Sequence, residues 1–444
     1  MDCRFCGGNS NHKLIDLITA PPSNAYLNKK DLNKPEPFFP LKLFVCLNCR
    51  LVQTEDYVRA DDLFRSDYTY FSSTSTSWLE HASRYTDMIC ERLELNHKSY
   101  VIEIASNDGY LLRNFVKRKI PCLGIEPTHS TSAAALNRGI PTLRKFFTAA
   151  LAEQLRKEGR QADLIIGNNV YAHVPDINDF TQGMKTVLKS RGTITLEFPH
   201  LLKMIEHNLF DTIYHEHFSY FSLYTVFRIF KSAGLRIFNV EELPSHGGSL
   251  RVYGCHDDDP RPDMGAVRKI IAKEERHGLM MPDTYDHFQH QADRIKNDLL
   301  AFLIKQKNTK RKVIGYGAAA KGNTLLNYAG IKPDLLPYVC DAASAKQGKF
   351  MPGSHIPILS PELIKRDRPD VVLIFPWNIV EEIIHQHHDV FDWGGVFAVA
   401  VPNLKIITAA DACAGVSEVA IRKVKRRFGQ TTRKECRHGN DTLI

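Results

Sequence analysis

Residues 99–118 read SYVIEIASNDGYLLRNFVKR. The string reads as a strand, a glycine turn and a helix. The units that follow repeat the alternation: PCLGIEP (121–127) as strand, a helix near 130–138, ADLIIGNNV (162–170) as strand, a helix near 177–188, and GTITLEFPH (192–200) as strand. Strands alternating with helical segments predict a parallel sheet with crossovers, an α/β fold. Just upstream, Trp78, Leu79, Ala82, Tyr85, Met88, Ile89 and Leu93 recur near a 3.6-residue spacing and predict a helix. Residues 207–265 break the alternation. A charged amphipathic stretch from about 265 to 308 predicts a helical connector. At 311 a second unit of the same kind begins, RKVIGYGAAAKGNTLLNYAG, followed by LLPYVCD, PDVVLIFPWN and GGVFAVAVP. A second Rossmann-like domain is therefore expected from about 310 to 405.

The chain has 444 residues, 43% of them hydrophobic and 24% charged, which excludes wholesale disorder and predicts two or three domains. No apolar run reaches the ~18–20 residues of a membrane span, and the start, MDCRFCGG, lacks a secretory pattern. A cytoplasmic protein that binds neither membrane nor nucleic acid is expected, working as a monomer. The net charge of +8 does not argue otherwise. Residues 422–444 hold eight Lys/Arg against Glu435 and Asp441, so that tail supplies +6 and the remaining 421 residues only +2. Such a tail reads as a solvated end.

Four of the ten cysteines form two C-x-x-C pairs, Cys3–Cys6 and Cys46–Cys49. Two residues between thiols let the chain bend so that both sulfurs face one ion, and a second knuckle completes a tetrahedron. Four thiolates leave no open coordination position, so a structural Zn2+ is expected, supplying folding energy that a small N-terminal core cannot.

The first glycine turn holds Glu103, Ala105, Asn107, Asp108 and Gly109, and is not G-x-G-x-x-G. Glu126, about 20 residues on at the end of the second strand, is placed to accept hydrogen bonds from ribose hydroxyls. An acidic turn without lysine suits a ligand with a cationic end. S-adenosylmethionine, with an ammonium, a sulfonium and no phosphate, fits better than a dinucleotide or a purely structural turn. After the third strand, Asn169 and His173 fall on the ligand side, although both could equally serve as a cap and a satisfied core histidine. The densest titratable cluster is Tyr214, His215, Glu216 and His217. If extended, it places Tyr214 and Glu216 on one side and both histidines on the other. It is not a metal helix motif, and a surface loop is as good a reading as a catalytic one. In the second unit, GYGAAAKG sets backbone amides at a helix N-terminus beside Lys321, a ready anion site, or else simply a scaffold turn.

Taken together and in order, these strings resemble the nucleotide-sugar C-methyltransferase family, whose members add a methyl branch at C3 of an activated 4-keto-deoxysugar. The strings are C-x-x-C…C-x-x-C-x-LVQ (3–53), DYTYFSS with a following SW (67–78), EIASNDGYLL (103–112), GIEP (124–127), NNVYAHVPD (168–176), EFPH (197–200), YHEHFSYFS (214–222), HGGSLR (246–251), GYGAAAKGNTLLNY (315–328) and KQGKFMPGSHIPI (346–358). Ala105 departs from the glycine expected there. The match spans about residues 1–405.

The resemblance implies five segments: a zinc-binding module (1–70), a methyltransferase domain binding S-adenosylmethionine (71–265), the helical connector (266–309), a Rossmann-like domain binding the sugar nucleotide (310–405) and a basic tail (406–444). It implies His217 as the base that removes the C3 proton, with Glu216 holding or tuning it. Tyr214 and Tyr68 or Tyr70 would donate to the ketone, and His173 would bind it or relay a proton. Ser249, Arg251, Tyr316, Gly317, Lys321, Asp341 and Lys346 would contact the sugar nucleotide. A methyltransferase of the same fold acting on a non-sugar ketone or an oxygen nucleophile is the alternative reading.

Overall fold

A computed structural model describes residues 1–64 and 71–414. Tyr68, Tyr70 and the basic residues of the tail lie outside the described residues. Three sheets are present among the described residues. The first contains β1 (His12–Ala20), β2 (Phe39–Val45) and β3 (Val52–Gln53), joined antiparallel. Its two C-x-x-C knuckles are tight turns, closed by Gly7 N–H on the Cys3 carbonyl at 2.9 Å and Arg50 N–H on the Cys46 carbonyl at 2.8 Å.

The second sheet contains β4 (Val101–Ile104), β5 (Cys122–Ile125), β6 (Thr142–Leu143), β7 (Ala162–Asn168) and β8 (Leu188–Pro199). The short strand β9 (Ser219–Tyr220) leaves it and pairs with β3 as the fourth strand of the first sheet. β10 (Leu235–Leu243) and β11 (Ser249–His256) return to complete the order β10-β11-β8-β7-β4-β5-β6. The β6-to-β8 part is parallel, and β11 inserts antiparallel to both β8 and β10. Every residue of β4 and β5 is buried, as expected of strands covered by helices on both faces. The covering helices include Leu112–Lys117, His129–Asn137, Ile177–Val187 and Leu223–Ser232. The chain builds outward from β4 through β5 and β6, then crosses back to β7 on the other side. That reversal opens a crevice at the carboxyl ends of β4 and β7.

Two helices, Ala266–Arg276 and Phe288–Asn308, then lead to the third sheet. It comprises β12 (Val313–Tyr316), β13 (Val339–Cys340), β14 (Ile358–Leu359), β15 (Val371–Ile374), β16 (Val396–Val399) and β17 (Lys405–Ile407), in the order β14-β13-β12-β15-β16-β17. All pairings are parallel except β17 with β16. The reversal here falls between β12 and β15.

The first sheet has no core of its own. Leu14, Leu17, Leu41 and Leu43 share a buried cluster with Leu325, Leu326 and Ile356 of the C-terminal half. Cys3, Cys46 and Cys49 share one with Val226, Ile229 and Phe230 of the helix Leu223–Ser232, which covers the central sheet. The N-terminal segment is thus wedged between both halves, instead of standing apart on a small core.

Candidate active site

The turn after β4 takes the conformation its glycine-like role requires. Ala105 has φ 56° and Asn107 φ 50°, so the alanine found in place of glycine adopts the left-handed conformation without disrupting the turn. A side chain at Gly124 of the neighbouring strand would lie 2.3 Å from Ser106 Oγ, which is why that strand carries glycine. Glu126 Oε2 accepts the Asn107 N–H at 3.0 Å. Its Oε1 accepts the Thr128 N–H at 3.0 Å and hydroxyl at 2.6 Å. Three protein donors fix the plane of this carboxylate at the crevice edge.

Glu103 lies beneath the turn, where burial raises its carboxyl well above the usual range, helped by Glu126 and Asp108. The segment just after the undescribed Tyr68 and Tyr70 drapes over the turn. Ser72 N–H donates to Asn107 Oδ1 at 2.9 Å, and the Ser73 hydroxyl donates to Asp108. Arg138 pairs with the same Asp108 oxygen at 2.8 Å.

Whether this crevice fits S-adenosylmethionine can be judged from its unpartnered atoms. Glu103 Oε2, Asp108 Oδ1, Asn169 Oδ1 and both amide atoms of Asn168 are buried without a hydrogen-bond partner. All lie on or just after β4 and β7, and buried polar atoms of this kind are normally satisfied. The Asp108 carboxylate and the amide oxygens of Asn168 and Asn169 match an ammonium and a sulfonium. Asn168, unlike Asn169, escaped the sequence reading. It is the last residue of β7, so the strand ends two residues before the 162–170 string does.

YHEH is a turn and not an extended segment: His217 N–H closes on the Tyr214 carbonyl at 2.9 Å. The expected alternation of faces is therefore overturned. Residues three apart in a turn come together, and the Tyr214 hydroxyl lies 2.8 Å from His217 Nε2. His217 Nδ1 sits 2.8 Å from the Thr212 carbonyl, an acceptor only. Nδ1 thus carries the proton and Nε2 keeps its lone pair toward Tyr214. His215 turns away to the Pro40 carbonyl at 3.1 Å. Glu216 points elsewhere again, toward Asn24, whose backbone and side-chain nitrogens lie 3.2 and 3.1 Å from Oε1.

His173 joins this cluster. Its ring centroid is 4.7 Å from that of His217, and its Nδ1 donates to the Glu216 carbonyl at 2.7 Å. Burial lowers His173 to about 4, and burial with His173, His246 and Lys321 nearby holds His217 well below the ordinary imidazole value. Both rings are neutral at pH 7. His246, at φ 53° in HGGSLR, lies 3.3 Å from the Asn169 amide nitrogen and so completes a ring of histidines around the mouth of β7. Ser249 and Arg251 are buried in β11. The Ser249 hydroxyl bonds the Ser245 carbonyl at 2.9 Å, and Arg251 pairs with Glu197 at 2.8 Å. A guanidinium on a covered strand is neutralised there by a protein carboxylate, so both side chains are committed to protein partners, a correction to the substrate contact expected of them.

The second glycine turn follows β12. Gly317 has φ 90°, and a side chain there would lie 2.4 Å from Pro376 Cδ. The Ala318 N–H is taken by Asp341 at 2.7 Å, and Lys346 Nζ holds the Ala318 carbonyl at 2.8 Å. Asp341 and Lys346 therefore brace the turn from beneath, a correction to the direct substrate contact expected of them. Tyr316 is buried within β12, packed near His387 with ring centroids 4.8 Å apart. Lys321 takes no part in bracing the turn. Its Nζ lies 2.9 Å from Asn378 Oδ1 and 4.1 Å from the Trp377 ring centroid.

The four cysteine sulfurs of the N-terminal knuckles lie within 4.8 Å of one another, and three of the four residues are buried. Sulfur separations of 3.4 Å (Cys3–Cys49) and 3.6 Å (Cys6–Cys46) fit a tetrahedron of Zn–S bonds of ~2.3 Å. No helix among the described residues is long and apolar enough to cross a membrane.

Comparison with known proteins bears on the same regions. Residues 3–64 match a family described as "Putative zinc binding domain", residues 78–240 a methyltransferase domain, and residues 244–402 a C-methyltransferase C-terminal domain. The chain is 33% identical over 411 residues to the C-methyltransferase NovU of Streptomyces niveus, an alignment covering 92% of this chain and 97% of that one. Among solved structures, the magnesium protoporphyrin IX methyltransferase ChlM of Synechocystis PCC 6803 with bound SAM aligns with 46% of this chain and 100% of its own. The identity is 12% and the TM-score 0.33. An S-adenosylmethionine-dependent methyltransferase from Clostridium acetobutylicum ATCC 824 covers 40% and 92%, at 10% identity and TM-score 0.33.

Proposed function

The chain belongs to the C-methyltransferase family with an N-terminal zinc-binding domain, and from that premise we propose that it methylates C3 of a nucleotide-linked 4-keto-deoxysugar. It is an S-adenosylmethionine-dependent C-methyltransferase. The sugar substrate and the roles of individual residues are the proposal. The observation that carries it is the setting of His217: Nδ1 tied to the Thr212 carbonyl, so that Nε2 is the acceptor and faces a tyrosine hydroxyl.

A hydrogen on the carbon next to a ketone is acidic because the anion it leaves is an enolate. His217 Nε2 takes that proton. The Tyr214 hydroxyl, displaced from Nε2, donates to the ketone oxygen as charge develops there, which is where a donor lowers the barrier. His173 uses its Nδ1 proton on the Glu216 carbonyl, so its Nε2 accepts; it relays a proton or receives a sugar hydroxyl, and does not donate to the ketone. Tyr68 or Tyr70, both outside the described residues, is proposed as a second donor.

When bound, S-adenosylmethionine supplies a sulfonium methyl group for the enolate carbon. Glu126 holds its ribose hydroxyls, and Asn107, Asp108, Asn168 and Asn169 line the remainder of its site, with Glu103, Ala105 and Gly109 shaping the turn. On the other side of the cleft, the turn around Gly317 and Lys321 grips the nucleotide diphosphate. The glycine turn supported by Asp341 and Lys346, with a lysine above it, supports an anionic substrate over a plain ketone.

The test is turnover with S-adenosylmethionine labelled in its methyl carbon and a panel of thymidine- and guanosine-diphosphate 4-keto-deoxysugars. The expected product is heavier by one methylene, with the label on C3 by NMR. Label on an oxygen, or turnover only with ketones lacking a nucleotide, would contradict the proposal.

A further inference from the structure

Between β1 and β2 the N-terminal segment crosses from the zinc knuckles to both halves of the molecule. Asn24 donates to Glu216 Oε1 through its backbone N–H at 3.2 Å and its amide at 3.1 Å. Two residues on, the Tyr26 hydroxyl donates to the Ala318 carbonyl at 2.6 Å. That is the same carbonyl held by Lys346, whose Nζ lies 5.5 Å from the Tyr26 ring centroid. Leu27 and Phe350 exchange both backbone hydrogen bonds, at 3.0 and 2.8 Å. Glu36 accepts from the Gly353 N–H and from His355 Nε2, each at 2.8 Å. One short strap therefore grips the base-bearing turn at Asn24 and the glycine turn of the C-terminal half at Tyr26.

These two turns face one reaction from opposite sides. The spacing between them sets where C3 meets His217, and reactions of this kind are sensitive to small displacements. We propose that Asn24 and Tyr26 are positioning residues: they hold the 212–217 turn and the 317–319 turn in register, so that the zinc-bearing segment is part of the active site. The inference rests on the site reading above and adds to it a role for residues that touch no substrate. Glu216 is the handle. Its Oε1 is committed to Asn24 and its Oε2 is buried without a partner, so losing the Asn24 amide leaves only the backbone N–H at 3.2 Å to hold it. Because His173 bonds the Glu216 carbonyl and His217 follows directly in the chain, movement of Glu216 displaces both imidazoles.

Asn24→Ala and Tyr26→Phe test this in the full chain. Each is expected to lower kcat by ~10–100-fold, the cost of a misplacement of about an ångström. The KM for S-adenosylmethionine, the zinc content and Tm should stay near wild type. Asn24→Ser, which keeps a short donor, should recover part of the loss. Wild-type kcat in both variants, or a fall matched by loss of zinc or of Tm, would overturn the proposal.

Hydrogen exchange read by mass spectrometry on the ligand-free chain puts the same question without any substrate. Asn24→Ala should quicken exchange in residues 212–217 and Tyr26→Phe in residues 317–319, with the knuckles at 3–6 and 46–49 unchanged. Wild-type exchange in both segments would overturn the strap even if the sugar substrate were correct. Altered exchange in an enzyme inactive on every nucleotide sugar would uphold the strap and overturn the substrate assignment alone.

Discussion

The indole N–H of Trp377 donates to the Asp211 carboxylate across 2.7 Å, joining the loop after β15 to the segment that leads into the base-bearing turn. The same indole stops against Gly247, where a side chain would lie 2.6 Å from the ring, next to His246. Lys321 sits over its face. Trp377 is thus the wedge on which the two α/β halves close, and it carries the lysine toward the histidines.

That placement gives a pH dependence. Burial lowers Lys321 to about 8, with Asp211 opposing, and the lysine's charge in turn helps keep His217 and His246 unprotonated. A lysine at about 8 is cationic below that pH and neutral above it. If its charge holds the substrate, kcat/KM should fall as pH rises past about 8 and show no acid limb at the ordinary imidazole value. Lys321→Arg, whose guanidinium stays charged, should move the alkaline fall upward. A pH–rate profile of both proteins checks this.

His217→Asn should lower turnover by ~10²–10⁴-fold, the usual contribution of a positioned base. Its affinity for S-adenosylmethionine should stay within about twofold of wild type, because the Glu126 and Asn107 contacts are untouched. Calorimetric titration and a turnover assay on the same preparation separate the two.

Cys46→Ser should release zinc and lower Tm, since the buried site contributes metal-binding energy to folding. The damage should extend beyond the knuckles, because this segment shares its core with both halves. Metal analysis and a thermal melt measure both; unchanged metal content would refute the tetrathiolate site.

Arg251→Met should leave Glu197 buried and short of its guanidinium partner. Despite burial, His81 and Arg251 hold that carboxylate at about 2. Breaking a buried pair costs ~3–5 kcal/mol, so a Tm lower by roughly 5–10 °C is expected. His81 and Ser245, still bonded to Glu197, place the effect at the smaller end.

The parallel strands of the two α/β sheets were legible because each strand–turn–helix string is local: VIEI, CLGI and VIGY are short, mainly apolar runs ended by turns. The zinc knuckles were legible for the same reason, as spacing alone brings two sulfurs together. What could not be read were contacts made at long range. Asn24 meets Glu216 across 192 residues and Trp377 meets Asp211 across 166, and nothing in either neighbourhood announces the partner. The base turn misled because a four-residue polar string has no periodicity to tell a turn from a strand. Arg251, Asp341 and Lys346 misled because a charge in a ligand-binding motif reads as a ligand contact, while burial gave each a protein partner.

The most direct test is exchange at C3 in heavy water with S-adenosylmethionine left out, followed by NMR on a nucleotide-linked 4-keto-deoxysugar that the wild-type enzyme methylates. The account predicts that wild-type enzyme replaces the C3 hydrogen with deuterium and that His217→Asn does not. Equal exchange by the two proteins would contradict it, because the proton would then be leaving to some other group.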